Sequence, residues 1–170
     1  MASLQERMIR AAKLDVALYE EVEADQSATG QATTVVVLSA LAAGIGNYAN
    51  GGMAGAVTGL FAALIGWYIW AYMTYFIGTR WLPEAQTEAD HGELLRTIGF
   101  SSTPGLLRVF GLLPGLTGLV FAAAGLWMLV AMVIGVRQAL DYESTPRAIA
   151  VCFIGWVIQG SLLVLAVTLF

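Results

Sequence analysis

Residues 94–113, LLRTIGFSSTPGLLRVFGLL, set the tightest constraint on how this chain folds. Four other stretches, at about 32–48, 55–77, 116–136 and 148–170, are apolar enough to be read directly as bilayer spans. The contested stretch is long enough to cross a ~30 Å hydrocarbon core. It also carries Pro104, two serines, two threonines and Arg108. If it crosses, there are five spans and the two ends lie on opposite sides. If it does not, there are four spans and the ends share a side.

Composition makes the membrane setting the starting point. Of the 170 residues 58% are apolar and 12% charged, with a mean hydropathy of +0.75, too little polar surface to cover a soluble globule. In lipid every backbone amide needs an internal partner, so apolar segments of this length predict an all-α polytopic bundle. The net charge of −4 offers no basic face for nucleic acid. Cys152 is the only cysteine, which excludes an intrachain disulfide. No cleavable leader is expected, because the first apolar run follows an acid-rich segment rather than a short basic one. The Met-Ala start and the C-terminal residues carry no lipidation motif.

Residues 1–30 read as a cytoplasmic amphipathic helix at the interface, and 31–170 as the transmembrane domain. Leu4, Met8, Ala11, Ala12, Leu18, Tyr19 and Val22 fall on one helical stripe. Arg7, Arg10 and Lys13 come early and the acids late, so the basic part suits anionic headgroups while the acidic part faces water. The same spacing equally suits a helix packed on the protein's own cytoplasmic loops. Asp25 and Ser27 are expected helix caps, and Asn50-Gly51-Gly52 the turn between the first two spans.

Positive charge decides the contested stretch. Lysine and arginine near span ends stay cytoplasmic. They fall at Arg7, Arg10, Lys13, Arg80, Arg96, Arg137 and Arg147, and the turns near Asn50 and Pro114 carry none. Five spans put all seven charges on one side; four spans move Arg137 and Arg147 outside. The expectation is therefore five spans, the third short and kinked at Pro104, with the N-terminus cytoplasmic and the C-terminus outside.

Arg108 then lies inside a span with no carboxylate in any span to pair with it. Its long side chain can snorkel to outer headgroups and bind lipid phosphate, or it is a buried functional arginine. Pro104 should leave the Phe100 carbonyl without its helical donor, and Ser101, Ser102 and Thr103 are expected to satisfy freed backbone groups. Trp67, Trp70 and the neighbouring tyrosines suit an aromatic belt or the lining of a ligand pocket.

Catalytic, cofactor and metal sites are not evident. His91, the sole histidine, is expected as a solvated loop residue beside Glu88, Asp90 and Glu93. The pairs Ala40–Gly44, Gly55–Gly59 and Gly111–Gly115 look like close-packing devices between helices or between copies of the chain. The absence of carboxylates in the spans argues against a proton- or sodium-coupled transporter.

The sequence resembles the Yip-one (Ypt-interacting protein) domain family in its compact prokaryotic form. The resemblance is carried by ELLRTIGFSSTPG, with its Gly99-Phe100-x-x-x-Pro104 core, by GLWMLVAMVIGVRQALDYESTPRAIAV, and by RMIRAAKLDVALYEEVEAD near the N-terminus. Phe100 stands where the family has tyrosine, and the Asp-Leu-Tyr-Gly-Pro element of eukaryotic members is not present. The resemblance implies five clustered spans behind a cytoplasmic N-terminal region, in a non-enzymatic protein of a prokaryotic inner membrane. Together these readings give a scaffold that recruits a membrane protein partner or its own copies, with membrane lipids around it. The alternatives are a lipid or small-molecule binding or transport protein with a cavity near Pro104 and Arg108, and an accessory subunit of a larger complex. Candidate contact residues are Arg7, Arg10, Lys13, Trp67, Trp70, Phe100, Pro104 and Arg108.

Overall fold

The Ser3 hydroxyl accepts a hydrogen bond from the Glu6 amide at 3.2 Å and opens α1, Leu4–Ala12. Asp15 caps α2, Val16–Ala24, by accepting from the Ala17 amide at 3.1 Å. Between them Leu14 takes a positive φ of 61°. The N-terminal segment is therefore a two-helix hairpin rather than one helix. A capping aspartate competes with continued helix, and Lys13-Leu14-Asp15 is where that competition falls. The computed structural model describes residues 2–169, with backbone alone at 162–167 and 169. Phe170, the expected end of the fifth span, lies outside the described residues.

Asp25 accepts from the Ser27 amide at 3.0 Å and starts a 3-10 turn, Gln26–Ala28, that leads into α3, Thr29–Gly46. α4, Tyr48–Phe76, follows after Asn47 alone. The reversal falls at the Asn50–Gly52 turn read from the sequence, and Gly44 packs against Ala56 across it. Gly52 makes the break, with φ 55° and ψ −162°, a conformation closed to other residues, and separates a short turn after Asn47 from the long helix that follows. A π-helical end, Ile77–Trp81, leads to the polar loop.

Asp90 and Glu93 form a reciprocal capping box that starts α5, His91–Ser101. A 3-10 segment, Thr103–Leu112, continues it, with Pro104 in its first turn. Pro104 thus sits where the α-helical hydrogen-bond ladder gives way to the tighter 3-10 pattern. The Phe100 carbonyl, denied a donor by Pro104, accepts from Thr103 Oγ1 at 2.7 Å. Ser101 Oγ lies 2.9 Å from the Thr97 carbonyl oxygen and 3.1 Å from that of Ala131. Gly115, at φ 79°, makes the turn into α6, Thr117–Ala139, and α7 spans Thr145–Leu169.

Small residues set the course of α5 and the 3-10 segment. Ala32, Ser39 and Gly46, seven apart on α3, face Gly99, Gly105 and Gly111 in turn. A Cβ on Gly99 would lie 2.8 Å from that of Ala32, and one on Gly111 would lie 2.9 Å from the Gly46 carbonyl oxygen. Residues 99–111 therefore run parallel to α3 and in backbone contact with it. α6 returns antiparallel, with Ser101 beside Ala131 and Gly111 beside Phe121. α7 lies antiparallel to α4, with Gly155 on Trp70 and Gln159 near Gly66.

Three helical stretches among the described residues are long and apolar enough to cross a membrane: Gln26–Gly46, Tyr48–Trp81 and Thr117–Ala139. The outward sides of the second and third carry Phe61, Ile65, Leu119 and Leu126, each at least 60% exposed, as a lipid-facing surface requires. One core cluster joins Leu94, Leu95 and Ile98 to Val136, Leu140 and Val151. A second joins Leu18, Tyr19 and Val22 of α2 to Ala32, Val35 and Phe100.

Candidate functional site

Two regions gather the polar side chains. The first is the cap formed by α1 and α2. Arg7, only 4% exposed, donates to Glu21 Oε1 at 2.9 Å, to Asp25 Oδ2 at 2.7 Å and to Gln31 Oε1 at 2.9 Å. Arg10 pairs with Asp15 and with the second oxygen of Glu21. The two basic residues read as headgroup contacts are thus enclosed by acids of the same hairpin. Their guanidinium groups, Arg10 first, hold the Glu21 carboxyl below its ordinary range. Lys13 remains exposed.

Arg96 fixes this cap to the bundle. It is 4% exposed, and its Nε donates to the Val22 carbonyl oxygen at 2.8 Å and to that of Glu23 at 3.1 Å. These are the last carbonyls of α2, which have no donor within the helix. Trp127 Nε1 of α6 does the same for Ala12 of α1, at 2.9 Å. Glu23, half-buried beside Arg96, has its carboxyl pushed up to about 8 by burial and by the charges of Asp141, Glu93 and Glu20, with Arg96 opposing. Gln138 donates to Glu20 Oε1 at 2.9 Å, a further tie between cap and α6.

The two polar loops meet beneath the bundle. The buried Tyr142 hydroxyl, pushed up to about 12 by burial, lies 2.9 Å from the Gly78 carbonyl oxygen and 2.7 Å from that of Leu82. Arg147 donates to the Pro83 carbonyl at 2.9 Å, and the Glu143 amide donates to Glu84 Oε2 at 2.9 Å. The loop after α4 and the loop after α6 are thus at the same end of the molecule.

The second region is a cavity of about 540 Å³ between α3, α4, the 3-10 segment, α6 and α7. Trp67 and Trp70 wall one part, and Arg108 reaches into it beside Ser102, Ser39 and Asn47. The Arg108 guanidinium lies 5.4 Å from the centre of the Phe121 ring. Its Nε is buried and has no hydrogen-bond partner among the described residues. Trp70 Nε1 is likewise unpartnered, whereas Trp67 Nε1 donates to the Leu95 carbonyl at 3.0 Å. The α4 wall is built from small residues, among them Gly55, Gly59 and Ala63.

Two of these small residues pack against no other part of the chain among the described residues. A Cβ on Gly55 or Gly59 would meet nothing within 4 Å. They border open space. Gly44, by contrast, closes on Ala56 of α4, where an added Cβ would lie 3.0 Å from the alanine Cβ. A neighbouring space of about 320 Å³ shares Arg108, Ser102 and Met132, and reaches Leu129 and Trp156. It extends the Arg108 region to the exposed Leu129 and Trp156, between α6 and α7.

The sequence-derived candidates therefore divide. Arg108, Trp67 and Trp70 line one cavity. Phe100 is fully buried with Tyr19 and Ala32, away from it. Pro104 faces the opposite side, in an apolar groove with Leu4, Met8 and Trp127. Arg96 and Trp127 escaped the sequence reading: Arg96 counted only as a topology charge, and an indole in an apolar span gives no sign of its acceptor. His91 is not a solvated loop residue. It is the first residue of α5, with its ring 4.9 Å from that of Tyr68 and edge-on to it. Among the described residues no group of three or more His, Cys, Asp and Glu is placed to hold a metal ion.

A family model described as the Yip1 domain matches residues 16–167. No curated protein and no solved structure matches the chain.

Proposed function

The chain belongs to the Yip1 domain family, a membrane protein family that is in general non-enzymatic, and from that premise we propose a five-span scaffold that recruits or steadies a membrane partner. The junction of the two polar loops through Tyr142, Arg147 and Glu84 supports the span count, since both loops then share one side. α5 and the 3-10 segment together extend about 36 Å at ~1.5 and ~2.0 Å per residue, enough to cross a ~30 Å core. Their parallel course beside α3 accords with a crossing. The membrane is a prokaryotic inner membrane, with the N-terminus cytoplasmic and the C-terminus outside.

The fixed cap carries the scaffold reading. Because Arg7 and Arg96 lock α1 and α2 in place, the cap presents a preformed face bearing Ile9, Val16 and Lys13, with the two apolar side chains 48% and 44% exposed. That face meets a membrane protein partner, or another copy of the chain. Deleting α1 and α2 would remove a core cluster, so the informative variant keeps the fold. Ile9→Glu combined with Val16→Glu should abolish crosslinking to partners in native membranes while the melting temperature stays unchanged. Crosslinking that survives both substitutions removes this face from the proposal.

A further inference from the structure

We infer that the cavity beneath Arg108 holds one anionic phospholipid, its phosphate against the Arg108 guanidinium and an acyl chain along the glycine-lined wall of α4. Charge is the first argument. Arg108 is a half-buried cation with no carboxylate partner among the described residues and with Nε unsatisfied. A buried arginine without an anion is costly, and a phosphate oxygen is the partner its planar fork fits. The guanidinium carbon stands 5.4 Å over the centre of the Phe121 ring, a cation–π contact that leaves Nε unsatisfied.

Depth is the second argument. The Arg108 main chain abuts Gly46, the last residue of α3 beside the α3–α4 reversal, and its side chain extends inward from there, with Nη2 4.0 Å from a Cβ placed on Gly125 of α6. The cavity descends from Asn47 and Gly52 to Trp67 and Trp70. A headgroup beside Arg108 leaves the acyl chain the small-residue wall of Gly55, Gly59, Ala62 and Ala63.

Shape is the third. Gly55 and Gly59 leave room where larger residues would pack against α3, and the space continues toward lipid between Leu129 and Trp156. A phospholipid in the bilayer reaches Arg108 through that side without leaving the membrane. The site needs no protein partner and stands or falls apart from the recruiting role of the cap.

The test is native mass spectrometry of the full chain, delipidated in detergent and then given phosphatidylglycerol or phosphatidylcholine. The expected result is one phosphatidylglycerol retained per chain, with phosphatidylcholine retained about tenfold less. Arg108→Gln should bring the two lipids level. Gly59→Leu, which fills open space without touching Arg108, should exclude both while leaving the melting temperature intact. Equal retention of the two lipids by the unaltered chain overturns the inference. So does unchanged retention in Arg108→Gln, displacement of the lipid by inorganic phosphate, or a lipid-free dimer that Gly59→Leu dissociates.

Discussion

Gly46 and Arg108 are in backbone contact: a Cβ added to Gly46 would overlap the Arg108 carbonyl oxygen. The contact fixes the depth of the 3-10 segment against α3 and, with it, the position of the arginine that lines the cavity.

Matched glycine substitutions test this contact. Gly46→Ala should cost about 1–3 kcal/mol, because main chain, unlike a flexible side chain, gives way poorly. Gly59→Ala, with open space before it, should be neutral or stabilising by up to about 1 kcal/mol through helix propensity. Thermal unfolding in detergent measures both. Equal effects would mean that Gly46 and Gly59 occupy similar surroundings.

Arg96→Met retains most of the side-chain volume and removes the donors to Val22 and Glu23. Losing charge-assisted hydrogen bonds to buried carbonyls should cost about 2–3 kcal/mol. The loss should be local. Hydrogen exchange should quicken through α1 and α2 and stay slow in α6, whereas uniform quickening would show that Arg96 supports the whole bundle.

Glu23 makes stability depend on pH in the sense opposite to most carboxylates. Its folded-state carboxyl, at about 8, lies above its unfolded value, so the folded chain binds the extra proton between the two. Stability should therefore fall as pH rises from about 5 through about 8. Glu21 and Asp25, held low by arginine and serine partners, contribute stability that is instead lost as pH falls through their depressed folded-state range. Glu23→Gln should flatten the alkaline side of the melting-temperature profile. An unchanged profile would place the titration elsewhere.

The membrane class, the all-helical fold and the family were legible in the sequence because each rests on features spread along the whole chain. The fate of Pro104 was legible in part: the hydroxyl that satisfies Phe100 was anticipated, while the 3-10 course of the next ten residues was not. Burial of Arg7 and Arg96 escaped notice because their partners lie 14 to 74 residues away and arise only from tertiary packing. The Gly55–Gly59 pair meets no other part of the chain among the described residues, since spacing alone does not say whether small residues admit a neighbour or border open space.

The five-span arrangement is tested most directly by cysteine accessibility in right-side-out membrane vesicles. Single cysteines at Asn50, Gln86, Leu116 and Glu143, in a Cys152→Ala background, would be treated with a membrane-impermeant maleimide. Five spans predict that Asn50→Cys and Leu116→Cys react from outside, and that Gln86→Cys and Glu143→Cys react only after the vesicles are opened. Glu143→Cys reacting from outside, with Leu116→Cys protected, would contradict the arrangement and return residues 94–113 to one side of the membrane.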